Sequence, residues 1–249
     1  MTPRLPVPGL PRLPPFARAA LLLDLDGTLL DIDVDNFIET YTRSVAERLM
    51  PDDQERGLAV LAGSTYAMLA PEVNEDSNQV CLLRKLSDTL DRSPADLWRA
   101  IHHASKEILP GLRAMAKPIA GAADVVRAMH ERGLKVVVAT MPIYPRDVML
   151  ERLRWAGVKS DWIDHVACLE ANRSAKPHRS YFLEMADAVG APADECLMVG
   201  DDEDQDMPAL SAGMAVHLLA PPRGKPEPTE RLRFGSITDL PTIWADALA

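Results

Sequence analysis

The chain has 249 residues, of which 47% are hydrophobic and 26% are charged, and its formal net charge at pH 7 is −10. This composition is typical of a soluble globular protein with one large domain, or with a core and a smaller inserted domain. The acidic balance and the scarcity of basic runs argue against a nucleic-acid partner, which requires a clustered positive surface.

The sequence contains neither a membrane segment nor a cysteine-based metal motif. No apolar run approaches the length of a membrane span, and the amino terminus lacks the apolar region of a signal peptide. Cys81, Cys168 and Cys196 are widely spaced and form no Cys-x-x-Cys or Cys/His pattern, so we expect unpaired thiols without a ligand role. These features predict a cytoplasmic protein without a membrane partner.

Residues 1–19 predict a proline-rich leader. Six of the first fifteen residues are proline: Pro3, Pro6, Pro8, Pro11, Pro14 and Pro15. Because proline fixes its own φ and lacks an N–H donor, we expect this segment to be extended or disordered. A binding segment for a proline-recognising partner is the alternative interpretation.

The apolar run at residues 21–23 predicts a strand that is buried on both faces, as in a parallel sheet. Asp24 and Asp26 follow it, and then Gly27 and Thr28. Two acids at the end of a buried strand are costly unless a divalent cation, a lysine or backbone N–H groups compensate their charge. A strand leading into an ordinary acidic turn is the alternative interpretation.

Residues 33–114 predict an all-helical unit. Its first helix carries an apolar residue at every fourth position, at Phe37, Tyr41, Val45 and Leu49. A later helix has a capping serine at Ser93, a proline at its first position and a capping-box acid at Asp96. We expect Pro110 to end this helix.

Beyond residue 115 the pattern alternates between strands and helices. Strands are predicted at 134–139, 163–168, 196–199 and 214–219, and helices near 125–129 and at 146–156, 177–189, 207–212 and 237–244. This alternation predicts an α/β fold, a parallel sheet with helices on both faces and its site at the carboxyl ends of the strands. The predicted core comprises residues 20–32 and 115–249, and residues 33–114 form a helical cap inserted over the catalytic edge.

Three further segments carry candidate chemistry at predicted strand or helix ends. Thr140 follows a buried strand and can donate to a phosphate oxygen, although a local backbone bond explains it equally well. Lys176 precedes a predicted helix at Pro177 and can pair with a carboxylate and a phosphate, or lie on the surface. The acidic run from Asp201 to Asp206 suits a hard cation, or forms a solvated loop.

Taken in order, these segments resemble the four motifs of the haloacid dehalogenase superfamily. The string from Asp24 to Thr28 resembles the first motif, and Thr140 and Lys176 match the second and third. Gly200 and Asp201, with Asp206 five residues later, resemble the fourth. The resemblance covers residues 20–32 and 116–219. Met141 and Gln205 stand where many members of the family have asparagine.

This resemblance implies a Rossmann-like core, a mobile helical cap and a site for Mg²⁺ formed by Asp24, the backbone carbonyl of Asp26, and Asp201. It implies that Asp24 is the nucleophile and Asp26 the acid/base. Lys176 and Thr140 then bind substrate phosphate, and Asp206 supports Lys176 or the water shell of the metal.

The activity that the resemblance implies is Mg²⁺-dependent hydrolysis of a small phosphorylated metabolite, a phosphomonoester, through an aspartyl phosphate. A phosphomutase, a dehalogenase and a non-catalytic binding module are the alternatives. A dehalogenase needs neither a metal nor the second acid, so Asp26 and the acidic fourth motif argue against it. The substrate and the oligomeric state stay open.

Overall fold

The computed structural model describes residues 18–224 and 227–243. The predicted leader at residues 1–19 therefore lies outside the described residues, except for its last two. Arg18 and Ala19 lead directly into the first strand, and the Ala19 N–H donates to the carbonyl of Glu195 at 3.0 Å.

The strands form one six-stranded parallel sheet and one small antiparallel pair. They are β1 (Ala20–Leu23), β2 (Leu30–Ile32), β3 (Ala116–Pro118), β4 (Lys135–Val138), β5 (His165–Val166), β6 (Cys196–Gly200), β7 (Ala215–Leu218) and β8 (Leu232–Phe234). The parallel sheet has the order β5-β4-β1-β6-β7-β8, and β2 pairs with β3.

The helices are α1 (Val34–Leu49), α2 (Gln54–Leu69), α3 (Asn78–Leu90), α4 (Pro94–Leu112), α5 (Ala122–Glu131), α6 (Arg146–Trp155), α7 (Arg179–Asp187), α8 (Glu203–Asp206) and α9 (Leu240–Ile243). Short 3₁₀ segments lie at 113–115, 160–162, 193–195, 207–212 and 237–239. The predicted α/β fold, with a Rossmann-like parallel sheet covered by helices, is confirmed.

Strand β1 is central because it lies between β4 and β6 in the sheet, and every one of its residues is fully buried. Leu21 and Leu23 face the side of the sheet that α5 and α6 cover. Ala20 and Leu22 face the opposite side, which α7 and the 3₁₀ segment 207–212 cover. Since β1 pairs with both β4 and β6, its carboxyl end emerges between the ends of two other strands.

Helices α1 to α4 form the helical unit between β2 and β3, and every residue of this unit is among those described. Side chains of Asp33, Ser77 and Ser93 accept hydrogen bonds from the first turns of α1, α3 and α4, which fixes where these helices begin. The expected end of α4 at Pro110 is wrong, because the helix continues to Leu112. Proline so close to a helix end forfeits only one backbone hydrogen bond, so the last turn survives.

Several element bounds differ from those expected from the sequence. Strand β5 has two residues instead of six, because it lies at the edge of the sheet and pairs only with β4. The sequence pattern missed β8, the opposite edge strand, whose three residues are too few for a periodic signal. The closing helix reaches Ile243, and Trp244 lies beyond the described residues.

Helix α7 begins at Arg179 and not at Pro177 as predicted. Residues Ala175 to His178 instead form a turn, in which the His178 N–H donates to the carbonyl of Ala175 at 3.0 Å, and the Lys176–Pro177 peptide is cis. Because of this turn, Lys176 lies outside α7.

Main-chain hydrogen bonds connect the helical unit to the sheet domain. The segment between α2 and α3 lies on the segment after β5: the Asn74 N–H donates to the Arg173 carbonyl at 2.7 Å, and the Asn78 N–H donates to the Asn172 carbonyl at 2.6 Å. The Asn78 side chain, fully buried, donates to the Ser174 carbonyl at 3.2 Å. We refer to these contacts between residues 74–78 and 172–174 as the cap–core junction.

Two further features of the described residues concern membrane spans and cysteines. None of these helices combines the length and the apolar character needed to span a bilayer. Cys81, Cys168 and Cys196 are buried free thiols.

The central position of β1 predicts a large stability cost for truncating Leu22. We expect Leu22→Ala to lower the free energy of unfolding by about 2–5 kcal/mol, because the lost side chain leaves a cavity in a close-packed core. Urea denaturation measures this value. Val73→Ala, at a side chain that is half exposed, serves as the control and should change it by less than about 0.5 kcal/mol. Equal losses in both variants would contradict the central role of β1.

Candidate active site

The candidate residues lie at the carboxyl edge of the parallel sheet. Asp24 follows β1, Thr140 lies two residues after β4, and Asp201 follows β6. Lys176 comes from the turn before α7, and Asp206 ends α8. Because β1 lies between β4 and β6, Asp24 stands at the centre of this group.

Lys176 connects two carboxylates in the interior. Its Nζ donates to Asp24 Oδ1 at 2.7 Å and to Asp206 Oδ1 at 2.5 Å, and the lysine is only 5% exposed. Burial disfavours its charge, but the attraction of Asp206 and Asp24 is stronger and raises the pKa of Lys176 above its ordinary value. The lysine is therefore a permanent cation beside Asp24.

Asp206 is fully buried and is fixed from two sides. Its Oδ2 accepts a hydrogen bond from the backbone N–H of Asp202 at 3.1 Å, while its other oxygen contacts Lys176. A Cβ atom at position 200 would lie 1.9 Å from Asp206 Oδ2, so only glycine leaves room for this carboxylate. Burial raises the pKa of Asp206, and Lys176 opposes that shift.

Asp201 lies against the turn that follows β1. A Cβ at position 27 would lie 2.0 Å from Asp201 Oδ2, and Gly27 has a φ of +73°, which favours glycine as well. The Thr28 hydroxyl donates to Asp201 Oδ1 at 3.4 Å. Desolvation and the negative charge of Asp24 raise the pKa of Asp201 to about 6, so the two carboxylates are close enough to repel each other.

The acidic run after β6 divides into site residues and structural residues. Asp202 caps α8 by accepting hydrogen bonds from the N–H groups of Asp204 and Gln205. Glu203 and Asp204 form ion pairs with the exposed side chain of Arg223. Asp201 and Asp206 are the candidate-site residues of this run, and Asp202 contacts Asp206 through its backbone N–H.

Thr140 is buried at the end of β4. Its backbone carbonyl accepts a hydrogen bond from the Tyr181 hydroxyl at 2.6 Å, which joins this strand end to α7. Within the described residues, the Thr140 hydroxyl makes no direct hydrogen bond to the other candidate residues. Thr140 therefore lies at the carboxyl edge of the sheet, and its role in the site stays a prediction.

Asp26 forms an ion pair that the sequence pattern did not indicate. Its Oδ1 accepts from Nη2 of Arg152, a residue of α6 that is 1% exposed. Burial raises the pKa of Asp26 above its ordinary value, and the guanidinium of Arg152 partly offsets that shift.

A signal for Arg152 was present in the sequence. Position 152 lies on the apolar stripe of α6, four residues after Val148, three after Met149 and next to Leu153, all of them buried. An arginine on a buried helical stripe needs an acidic partner, and Asp26 is that partner. The neighbouring charged residues Glu151 and Arg154 obscured this signal, because such residues are typical of a solvent-exposed helix face.

The site has the donor chemistry that Mg²⁺ requires. In residues 18–224 and 227–243, no three His, Cys, Asp or Glu side chains are grouped tightly enough to hold a metal by themselves. Mg²⁺ needs only one or two protein carboxylates, since waters and substrate oxygens complete its shell. Asp24 and Asp201, which repel each other without a cation between them, fit this requirement.

The sequence of the chain is similar to the sequences of known proteins. A family profile described as haloacid dehalogenase-like hydrolase matches residues 19–213. The chain is 29% identical over 196 residues to a phosphoglycolate phosphatase of Xanthomonas campestris pv. campestris, which covers 78% of this chain and 80% of that protein. It is 23% identical over 197 residues to pyrophosphatase PpaX of Halalkalibacterium halodurans, with coverage of 78% and 80%.

Among solved structures, a HAD phosphatase from Thermococcus onnurineus superimposes with a TM-score of 0.55 at 17% identity. The superposition covers 93% of this chain and 100% of that one. At this identity the likeness concerns the fold, and it extends over both the sheet and the helical unit.

The close approach at Gly200 predicts a specific effect of a single methyl group. Gly200→Ala should lower the free energy of unfolding by about 1–3 kcal/mol, because the new Cβ overlaps the buried Asp206 carboxylate. Gly63→Ala in α2 is the matched control, since a Cβ there meets nothing within 4 Å and alanine favours helix. Urea denaturation of both variants decides the matter, and a neutral Gly200→Ala would refute the described packing.

Proposed function

We propose that this chain, which belongs to the haloacid dehalogenase-like hydrolase family, is a phosphatase that hydrolyses a small phosphomonoester in two steps through an aspartyl phosphate. The observation that carries the proposal is the contact between Lys176 Nζ and Asp24 Oδ1 at 2.7 Å, at the carboxyl end of the central strand. A carboxylate beside a buried lysine can attack phosphorus, because the cation offsets part of the charge of the incoming phosphate.

In the first step, Asp24 attacks the phosphorus atom with the oxygen that does not contact Lys176. A bond forms between this oxygen and phosphorus while the ester P–O bond breaks. Asp26 donates a proton to the departing oxygen, which leaves as an alcohol. In the second step, Asp26 removes a proton from the water that attacks phosphorus. The Asp24–phosphorus linkage then breaks, and inorganic phosphate leaves.

Charge compensation carries most of the catalysis, because the transition state of phosphoryl transfer is loose and spreads charge over three oxygens. Lys176 and the hydroxyl of Thr140 are the groups proposed to hold two of these oxygens, together with backbone N–H groups after Asp24. Asp206 keeps Lys176 in place through the 2.5 Å contact.

Mg²⁺ is the proposed cofactor, held by Asp24, the backbone carbonyl of Asp26, and Asp201. When bound, it supplies a positive charge that neutralises substrate oxygens. The two carboxylates of this set come from adjacent strands, β1 and β6, and the packing of Asp201 against Gly27 keeps them together.

We propose the domain division expected from the sequence, with a core of residues 20–32 and 115–249 and a cap of residues 33–114. Helices α1 to α4 are inserted after β2, the short strand that follows β1 and Asp24. A cap in this place closes the catalytic edge and determines which leaving groups fit. A cytoplasmic location stays a prediction from the sequence.

The relatives support a small phosphorylated substrate, since one is named a phosphoglycolate phosphatase and another a pyrophosphatase. A dehalogenase uses an aspartate nucleophile without a metal and without a second acid. Asp26 and Asp201 would have no role in such an enzyme, which favours the phosphatase. A phosphomutase shares the same core chemistry and differs in whether water reaches the aspartyl phosphate.

The nucleophile is tested by Asp24→Asn. We expect turnover of 4-nitrophenyl phosphate to fall by at least about 10³-fold, because an amide cannot form the covalent intermediate. The thermal melting temperature shows whether the variant folds. Asp31→Asn, at an exposed position in β2, is the matched control and should retain full activity. Substantial turnover by Asp24→Asn would overturn the assignment.

The metal is tested by removal and return. Phosphate release from a panel of phosphomonoesters should stop when a chelator is added and should resume when Mg²⁺ is supplied in excess. Isothermal titration with Mg²⁺ should show binding that Asp201→Asn weakens, while Asp202→Asn, at the cap of α8, leaves it unchanged. Phosphate release that persists in chelator would contradict the proposed cofactor. Halide release from a 2-haloacid assayed in parallel, without phosphate release from the esters, would favour the dehalogenase.

A further inference from the structure

Arg152 is a buried cation outside the group of residues that the family motifs identify. It lies in the middle of α6 with 1% of its surface exposed, and its Nη2 contacts Oδ1 of Asp26, 126 residues away in sequence. Its Nε and Nη1 atoms are buried without a hydrogen-bond acceptor among the described residues. Asp26 is therefore the carboxylate that compensates this charge.

Aromatic rings hold the guanidinium in one place. Its Cζ atom lies 4.4 Å from the ring centroid of Phe37 and 5.2 Å from that of Tyr144. The two rings meet edge to face, with centroids 5.7 Å apart. Tyr41 extends the cluster through an edge-to-face contact with Tyr144 at 5.0 Å. The faces of these rings attract the cation and occupy the space in which its side chain would otherwise move.

The burial of Arg152 among these side chains contributes little to the stability of the fold. The neighbours of Arg152 on the buried stripe of α6 are apolar, among them Val148, Met149 and Leu153. Placing a guanidinium in such surroundings removes it from water and leaves two of its nitrogen atoms without acceptors among the described residues, which an apolar side chain of similar volume would avoid. What the arginine does provide is a fixed contact to one oxygen of Asp26.

We propose that Arg152 is a positioning residue for the acid/base Asp26. The ion pair engages Oδ1, so Oδ2 is the oxygen that carries the transferred proton. By holding Oδ1, Arg152 prevents rotation of the carboxylate and keeps Oδ2 directed at the oxygen of the leaving group. Arg152 does not touch the substrate. This inference rests on the proposed function, because it assumes that Asp26 transfers the proton.

The fixed orientation matters because proton transfer requires close alignment of donor and acceptor. A displacement of about 1 Å in a reacting group can cost about 10²-fold in rate. Asp26 lies in the tight turn of residues 24–30, where the Gly27 N–H donates to the Leu30 carbonyl at 2.9 Å. The turn fixes the backbone of Asp26, and Arg152 fixes its side chain.

The test compares Arg152→Met, Arg152→Lys, Asp26→Asn and the double variant Asp26→Asn/Arg152→Met in the full-length protein. We expect Arg152→Met to lower kcat by about 10²-fold and to change KM by less than about threefold, because positioning acts on the reaction step. The loss should be larger for phenyl phosphate, whose leaving group needs the proton, than for 4-nitrophenyl phosphate. Arg152→Lys should recover part of kcat.

The double variant separates positioning from a structural role. If Arg152 acts only through Asp26, the double variant is no slower than Asp26→Asn alone. The proposal is wrong if the loss of kcat in the double variant equals the product of the losses in the two single variants. It is also wrong if Arg152→Met keeps the wild-type kcat. The double variant removes both charges, so it stays informative if Arg152→Met alone does not fold.

Two controls complete the experiment. Arg154→Met, on the exposed face of α6, should keep wild-type kcat for both esters. Asp24→Asn tests the proposed function independently. An active Asp24→Asn variant means that the chemistry itself is wrong. An inactive one, together with an Arg152→Met variant that shows equal losses on both esters, means that only the positioning role is wrong.

Discussion

The contact of one buried lysine with two carboxylates determines the arrangement of the candidate site. Lys176 reaches Asp24 from the turn before α7 and meets Asp206 from the segment after β6. Burying these charges is costly unless they stay paired, so the ends of three separate chain segments must meet at one point. The parallel order of the strands makes this meeting possible, because it brings the carboxyl ends of β1 and β6 side by side.

The charges around this contact are not balanced by the protein alone. In the described part of the chain, Lys176 and Arg152 form ion pairs with Asp24, Asp206 and Asp26, and Asp201 is a fourth carboxylate at the site. Each cation has a separate task in the proposed reaction, since Lys176 stands beside the nucleophile and Arg152 beside the acid/base. The remaining negative charge lies between Asp24 and Asp201. In the proposed site, a divalent cation held by Asp24 and Asp201 would neutralise this charge and would attract phosphate to a chain whose net charge is −10.

The sequence alone predicted the α/β fold, the helical insertion and the gathering of the motif residues, because buried parallel strands are continuous apolar runs and their carboxyl ends share an edge. It predicted the pairing of Lys176 with a carboxylate but missed other contacts between distant residues. Arg152 and Asp26 are 126 residues apart, and the need for glycine at positions 27 and 200 comes from carboxylates that approach through space. Strand β8 was missed because three residues at a sheet edge carry little pattern.

The cap–core junction has a consequence for protein engineering. Residues 74–78 and 172–174 satisfy each other's main-chain groups, and Arg173 also donates to the Asn74 carbonyl through Nε at 2.9 Å and Nη2 at 2.8 Å. Hydrogen bonds to main-chain atoms depend on the path of the backbone more than on side-chain identity. A chimera that takes residues 33–114 from a relative whose backbone follows a different path at the junction would therefore leave donors and acceptors unmatched, and such a fragment should include the segment after β5 as well.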